Sequence, residues 1–166
     1  MYLLVTDTVI YILKGHLAVT EHLNRHLHDP MQISIVTYME LYYGTYKSQR
    51  VTANAARVKA LGQAIEMAPI NAAVAETFGM IKAALESGGH RLDDFDMAIA
   101  ATALSYNLIL VTNNTDHFSR IDGLRLENWT VSHPTVSEKG GRYMEGKVAP
   151  RSKRSITISR SRKRDT

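Results

Sequence analysis

The chain has 166 residues, enough for one domain that buries roughly two-thirds of the surface its unfolded chain exposes, so it needs no covalent staples. It has no cysteine, which excludes a disulfide framework, a thiolate nucleophile and a Cys-based zinc site, and makes the reducing cytosol the natural compartment. The net charge of +4 is uneven: residues 134–166 carry 10 Lys/Arg against 3 Asp/Glu (+7), leaving residues 1–133 at −3, so charge alone does not make the body a nucleic-acid binder.

Tyr2 to Thr6 is a short apolar run of buried-strand type, and Val9 to Leu13 continues it as strand or helix up to Gly15. Asp7 and Lys14 interrupt this start far short of a membrane span, and no basic signal-peptide region precedes it. From His16 to His28, Leu17, Leu23 and Leu27 recur at helical spacing, and Pro30 follows. Gln32 to Val36 alternates as a strand; Thr37 to Tyr46 then reads as a helix in which Thr37 and Glu40 match a capping box. Val51–Met67 and Ala72–Ser87 are alanine-rich and periodic, separated by Pro69, Ile70 and Asn71, which fit a short strand and a helix cap. A further helix starts at Asp93 or Asp94 and turns Met97, Ile99, Ala100, Ala103 and Leu104 inward. Leu108–Val111 is another buried-strand run, and Leu124–Trp129 fits an edge strand.

Strands alternating with helices predict right-handed crossovers and a three-layer α/β/α domain with a mostly parallel central sheet of four or five strands. Beyond residue 133 the chain is polar, then Arg/Ser-rich. Such a composition cannot repay its ordering entropy, so residues 1–133 are expected to fold and 134–166 to form a basic disordered tail.

In a parallel α/β sheet, ligand sites gather at the carboxyl ends of the strands. Asp7 follows the first apolar run, Glu40 the second, and Asn114 and Asp116 the last, while Asp96 lies in the first turn of the helix that leads into it. Gathered carboxylates hold hard divalent cations, which activate water and stabilise the leaving oxygen in phosphodiester hydrolysis. Each residue has a structural alternative: Glu40 as the capping-box partner of Thr37, Asp93, Asp94 and Asp96 as acids favoured by a helix dipole, Asn114 and Asp116 as turn residues, and Asp7 as the N-cap of a helix starting at Thr8.

Five ordered motifs over residues 1 to about 130 resemble the PIN-domain nucleases, specifically the VapC toxins of type II toxin–antitoxin systems. Val5-Thr6-Asp7-Thr8-Val9-Ile10-Tyr11 resembles the opening Asp-Thr-Asn motif; Thr37 to Glu40-Leu41 with Tyr43-Gly44 resembles the Ser/Thr-x-x-Glu-Leu-x-x-Gly helix start; and Asp96 to Ile99-Ala100 resembles the Asp-x-x-Ile-Ala helix. Val111-Thr112-Asn113-Asn114 with Phe118, and Gly123-Leu124 through Trp129, resemble the closing motifs.

The resemblance implies a Mg²⁺- or Mn²⁺-dependent endoribonuclease, commonly a homodimer, acting on RNA that in close relatives is transfer RNA. It also implies neutralisation by a VapB-like antitoxin whose C-terminal segment lies across the active site. Glu40 and Asp96 match metal-site acids, Asn114, Asp116 and His117 fall where the last and most variable site residues lie, and Thr6 and Thr112 match supporting positions. Where the family carries its first metal-ligating Asp this chain has Val5, and Asp7 stands at the neighbouring Asn-like position. Loss of that carboxylate weakens metal binding and impairs catalysis. Rescue by Asp7 requires approach from about 6.6 Å further along the strand. Tyr11, Leu13, Met39, Tyr42 and Tyr43 are candidate antitoxin contacts by side-chain type, with ordinary core as the alternative.

The competing function is a catalytically silent module that sequesters antitoxin or RNA. A haloacid-dehalogenase-type phosphohydrolase needs a nucleophilic Asp at residue 5, which Val cannot replace. His22, His26 and His28 read as a solvated helix face without a carboxylate partner, and the basic tail either adds RNA contacts or is an extension unrelated to the fold.

Overall fold

A computed structural model of the protein describes residues 1–131; the expected tail of residues 134–166 lies outside the described residues. The chain runs β1 (Tyr2–Leu4), α1 (Thr6–Lys14), α2 (Leu17–Arg25), β2 (Met31–Ser34), α3 (Ile35–Tyr46), α4 (Val51–Ala64), β3 (Glu66–Ala68), α5 (Ala72–Ser87), α6 (Asp94–Ser105), β4 (Ile109–Val111), α7 (Thr115–Phe118) and β5 (Leu126–Glu127). The five strands form one sheet in the order β3-β2-β1-β4-β5, with every pairing parallel. The α/β/α reading and the edge position of the last strand both agree with this arrangement.

The pleat of β1 divides the core. Tyr2 and Leu4 face a cluster with Val9, Val19, Ile33, Leu41, Val58 and Trp129, under α1 to α4. Leu3 and Val5 face the opposite cluster, built from Val74, Ile81 and Leu85 of α5 and Met97, Ile99, Ala100 and Ala103 of α6. Small residues on α6 let it approach both the sheet and α5. Residue 5 therefore points toward the layer that carries Asp96.

Local chemistry explains most boundaries. Asn71 accepts from the Val74 amide at 3.0 Å and Asp93 from the Phe95 amide at 2.9 Å, so α5 and α6 begin where short polar side chains satisfy a free N–H. Gly15, with φ 71°, ends α1 in the left-handed conformation that glycine adopts without Cβ strain.

Several expectations need correction. β3 precedes Pro69 instead of following it, because Ile65 already leaves the helical conformation. Of the two alternatives left for Val9–Leu13 the helix is the one adopted, and α1 starts at Thr6 behind Val5, so Asp7 lies in its first turn and is not an N-cap. In α2 the buried residues are Val19 and His22, while Leu17 and Leu27 are exposed: a nine-residue helix buries only one narrow stripe. The solvated histidine face holds for His28, which is exposed, but not for His22 and His26. His22 is fully buried, stacks on Trp129 at 5.8 Å and meets the Val131 carbonyl at 3.1 Å through Nε2; His26 also stacks on Trp129, at 5.6 Å, and has a carboxylate partner, Asp29, at 2.7 Å.

Candidate functional site

The carboxyl ends of β1, β2 and β4 converge, and threonines tie them together. Thr8 donates its hydroxyl to the Val111 carbonyl at 2.9 Å, locking the start of α1 to the end of β4. Ser34 ends β2 and caps α3, accepting from the Thr37 amide at 2.9 Å and donating to the Thr37 hydroxyl at 3.0 Å. The capping-box alternative for Glu40 thereby fails: the cap is three residues earlier than Thr37. Glu40 instead receives a hydrogen bond from the Thr6 hydroxyl, 34 residues away in the chain.

Asp96 stands one turn into α6, half-buried. Burial raises its carboxyl above the ordinary Asp range, and the negative charges of Glu40, Asp93 and Asp7 raise it further, with His117 opposing them. Three elements thus bring Asp7, Glu40 and Asp96 into one electrostatic neighbourhood. Sequence reading singled out Asp93 only as a helix-start acid; its charge on Asp96 follows from its place as the N-cap of α6, just ahead of the turn that carries Asp96.

Asp7 is engaged in a different way. One carboxylate oxygen accepts from the Thr8 amide at 2.6 Å, and the other from the Thr112 hydroxyl at 3.1 Å and the Asn113 amide at 2.8 Å. These bonds clamp the first turn of α1 to the loop after β4. Thr112 passes the connection on, since its hydroxyl accepts from the Asn114 amide at 3.0 Å. Asn114 and Asp116 are exposed on α7 and its approach, and Asp116 is not among the charges acting on Asp96, whereas its neighbour His117 is.

Glu40 and Asp96 suit a hard divalent cation bound through two carboxylates with water completing the shell. Among the described residues no three His, Cys, Asp or Glu side chains are grouped to hold an ion. Val5, 6% exposed, occupies the remaining strand end with an apolar side chain. The residues present therefore fit a weakly held ion.

Beside Glu40 a groove of about 360 Å³ runs between α1, α3 and α4, lined by Ile10, Leu13, Leu41 and Val58 with Lys14 and Arg57. Of the candidate antitoxin contacts, Leu13, Met39 and Tyr43 are exposed at 40, 50 and 66%, whereas Tyr11 and Tyr42 are partly buried against the α1–α4 core.

Comparison with known proteins gives concordant matches. The PIN domain family matches residues 2–124. The tRNA(fMet)-specific endonuclease VapC of Shigella flexneri is 40% identical over 130 residues, covering 78% of this chain and 98% of that protein. Ribonuclease VapC2 of Haemophilus influenzae is 37% identical over 129 residues, covering 77% and 97%. The crystal structure of DNA-bound VapBC from Salmonella typhimurium superposes with a TM-score of 0.72 at 35% identity, covering 77% of this chain and 97% of that one.

Proposed function

The chain belongs to the PIN-domain family and, within it, to the VapC ribonucleases, and from that premise we propose that it is the toxin of a type II toxin–antitoxin pair. It is an endoribonuclease by ancestry, and its activity is impaired by Val5. The observation that carries this reading is the meeting of Thr6-anchored Glu40 with Asp96 at the carboxyl ends of three parallel strands.

VapC nucleases of the PIN fold are metal-dependent, and the ion proposed here is Mg²⁺ or Mn²⁺, held by Glu40 and Asp96. When bound, such an ion supplies Lewis-acid stabilisation of charge on the reacting phosphate and a more acidic water. The chain's own residues supply the rest. Thr6 holds the Glu40 carboxylate in place. Glu40 and Asp96 present negative charge, which His117 opposes at Asp96. Asp7, with Thr112, positions the loop that brings Asn114, Asp116 and His117 to the rim. Asn114 and Asp116 are proposed to act there on substrate or hydrated ion, and their exposure supports that role.

RNA is the proposed substrate, with transfer RNA favoured by the name of the Shigella flexneri relative. The proposed partner is a VapB-like antitoxin, supported by solved VapBC complexes of relatives. Leu13 lines the groove that opens at Glu40, Met39 and Tyr43 offer the antitoxin exposed side chains on α3, and Tyr11 and Tyr42, partly buried against the core, are the less accessible of the five. Homodimerisation and a cytosolic location rest on the family resemblance; sedimentation of the purified chain tests the first. No helix among the described residues is long and apolar enough to cross a membrane.

A second reading, a silent module that only binds antitoxin or RNA, is favoured by the burial of Val5 within an apolar cluster. Both are tested by incubating this chain and its Val5→Asp form with defined transfer RNAs, with and without Mg²⁺. Cleavage by Val5→Asp alone supports an impaired nuclease. Mg²⁺-stimulated cleavage by the unaltered chain removes the silent module, and a folded Val5→Asp that cuts no RNA removes the nuclease reading.

A further inference from the structure

Charge within the folded part of the chain is segregated. Residues 1–133 carry −3, yet the stretch from 41 to 65, which holds the second half of α3 and the whole of α4, has Lys47, Arg50, Arg57 and Lys59 and no Asp or Glu. Arg25 and Lys82 are taken up by Glu21 and Asp94, whereas among the described residues Lys14, Lys47 and Arg57 form no ion pair.

Three of these cations border the groove beside Glu40. Glu40, Tyr43, Gly44 and Lys47 recur at helical spacing and share one face of α3, so Lys47 stands about 10 Å from Glu40 along the helix axis. Lys14, at the end of α1, and Arg57, in the middle of α4, line the groove itself, together with Ser48 and Asn54. The way along α3 is open, since nothing lies within 4 Å of where a Cβ would stand on Gly44. Tyr43 is 66% exposed, and the Lys47 ammonium lies 5.2 Å from its ring centroid. An exposed ring beside an unpaired cation suits an unpaired nucleotide, whose base stacks on the ring while its phosphate meets the cation.

We propose that this face of α3 and α4 is the path of a single RNA strand. Tyr43 stacks a base next to the scissile bond, and Lys47, Arg57 and Lys14 contact the phosphates that lead away from it along the groove. The identity of the ligand rests on the ribonuclease reading. Charge and ring together favour RNA over an acidic polypeptide: both would meet the cations, but only a nucleotide also offers Tyr43 a base to stack. The same cations answer the repulsion that Glu40 and Asp96 exert on an approaching phosphate.

The test uses the full-length chain without divalent metal and a fluorescent single-stranded RNA, with binding read by anisotropy from 50 to 200 mM salt. In the combined variant Lys14→Gln, Lys47→Gln and Arg57→Gln, loss of three phosphate contacts at about 0.7 each makes the log–log slope of affinity against salt about 2 shallower. The Lys and Arg of residues 134–166 are the same in both proteins, so their contribution cancels in the difference. Tyr43→Leu should bind about tenfold more weakly and Tyr43→Trp as tightly as the unaltered chain, because Trp keeps a stacking face and Leu keeps only bulk. All four side chains are exposed, so melting should not change. Equal slopes, or equal affinities for Tyr43→Leu and Tyr43→Trp, overturn the proposal. A combined variant that loses binding to poly-glutamate and keeps RNA also overturns it, since the face would then serve an acidic polypeptide. The shallower slope together with no cleavage by Val5→Asp would reject the nuclease reading and leave the RNA-binding face standing.

Discussion

Replacing Val5 with Asp should make the stability of this fold depend on a divalent cation. Val5 is nearly inaccessible, packed in the cluster that contains Leu3, Val36, Met97 and Ile99, and it immediately precedes Thr6, the residue bound to Glu40. An Asp there buries an ionised carboxylate without a cationic partner, next to two others. An uncompensated buried charge costs about 3–5 kcal/mol. At ~4 °C per kcal/mol for a domain of this size, the melting temperature should fall by about 12–20 °C in EDTA. An ion bound by Asp at residue 5, Glu40 and Asp96 offsets that loss, by about 2.7 kcal/mol when free metal is at one hundred times its dissociation constant. The assay is thermal unfolding in EDTA and over a Mg²⁺ or Mn²⁺ titration, with Val5→Asn as the uncharged control of similar shape. Val5→Asp should recover stability as metal is added; Val5→Asn and the unaltered chain should respond little. Identical metal responses for Asp and Asn at this position would refute the reasoning.

Asp96→Asn should stabilise the apo protein at neutral pH. A carboxyl raised above its ordinary value in the folded state favours folding below that value and opposes it above, so the variant's advantage, measured by urea denaturation, should vanish as pH falls through the ordinary carboxylate range near ~4. Asp7→Ala should cost about 3 kcal/mol, because it releases the Thr8 and Asn113 amides together, and Asp7→Asn about 1 kcal/mol, because one oxygen still accepts; an equal loss for both in urea denaturation would mean that the remaining neutral oxygen contributes nothing and that the clamp needs the charged carboxylate. Tyr43→Ala and Met39→Ala should each weaken antitoxin binding about tenfold by calorimetry while leaving melting unchanged, since both side chains are largely exposed.

The fold was readable wherever its signals are local. Periodicity located α5 and α6, and Asn71 and Asp93 marked their first turns because a cap is satisfied within three residues. α2 was misread because its inward residue is a histidine whose partner, Trp129, lies 107 positions later, a contact no periodicity encodes. Glu40 was ambiguous for the same reason. Its spacing from Thr37 imitates a capping box, and only the distant Thr6 hydroxyl decides between the two roles. The motif order pointed to Glu40 and Asp96 together, but not to the engagement of Asp7, whose partners Thr112 and Asn113 follow the neighbouring strand β4, more than a hundred residues later in the chain.

The central claim is that Glu40 and Asp96 form one cation site whose third carboxylate is missing at residue 5. Mn²⁺ binding followed by electron paramagnetic resonance tests it directly, in the unaltered chain, in Val5→Asp, and in Val5→Asp combined with Glu40→Gln or with Asp96→Asn. The account predicts weak binding by the unaltered chain, a single tighter site in Val5→Asp, and loss of that gain in both double variants. Tight binding that survives Glu40→Gln and Asp96→Asn would contradict it.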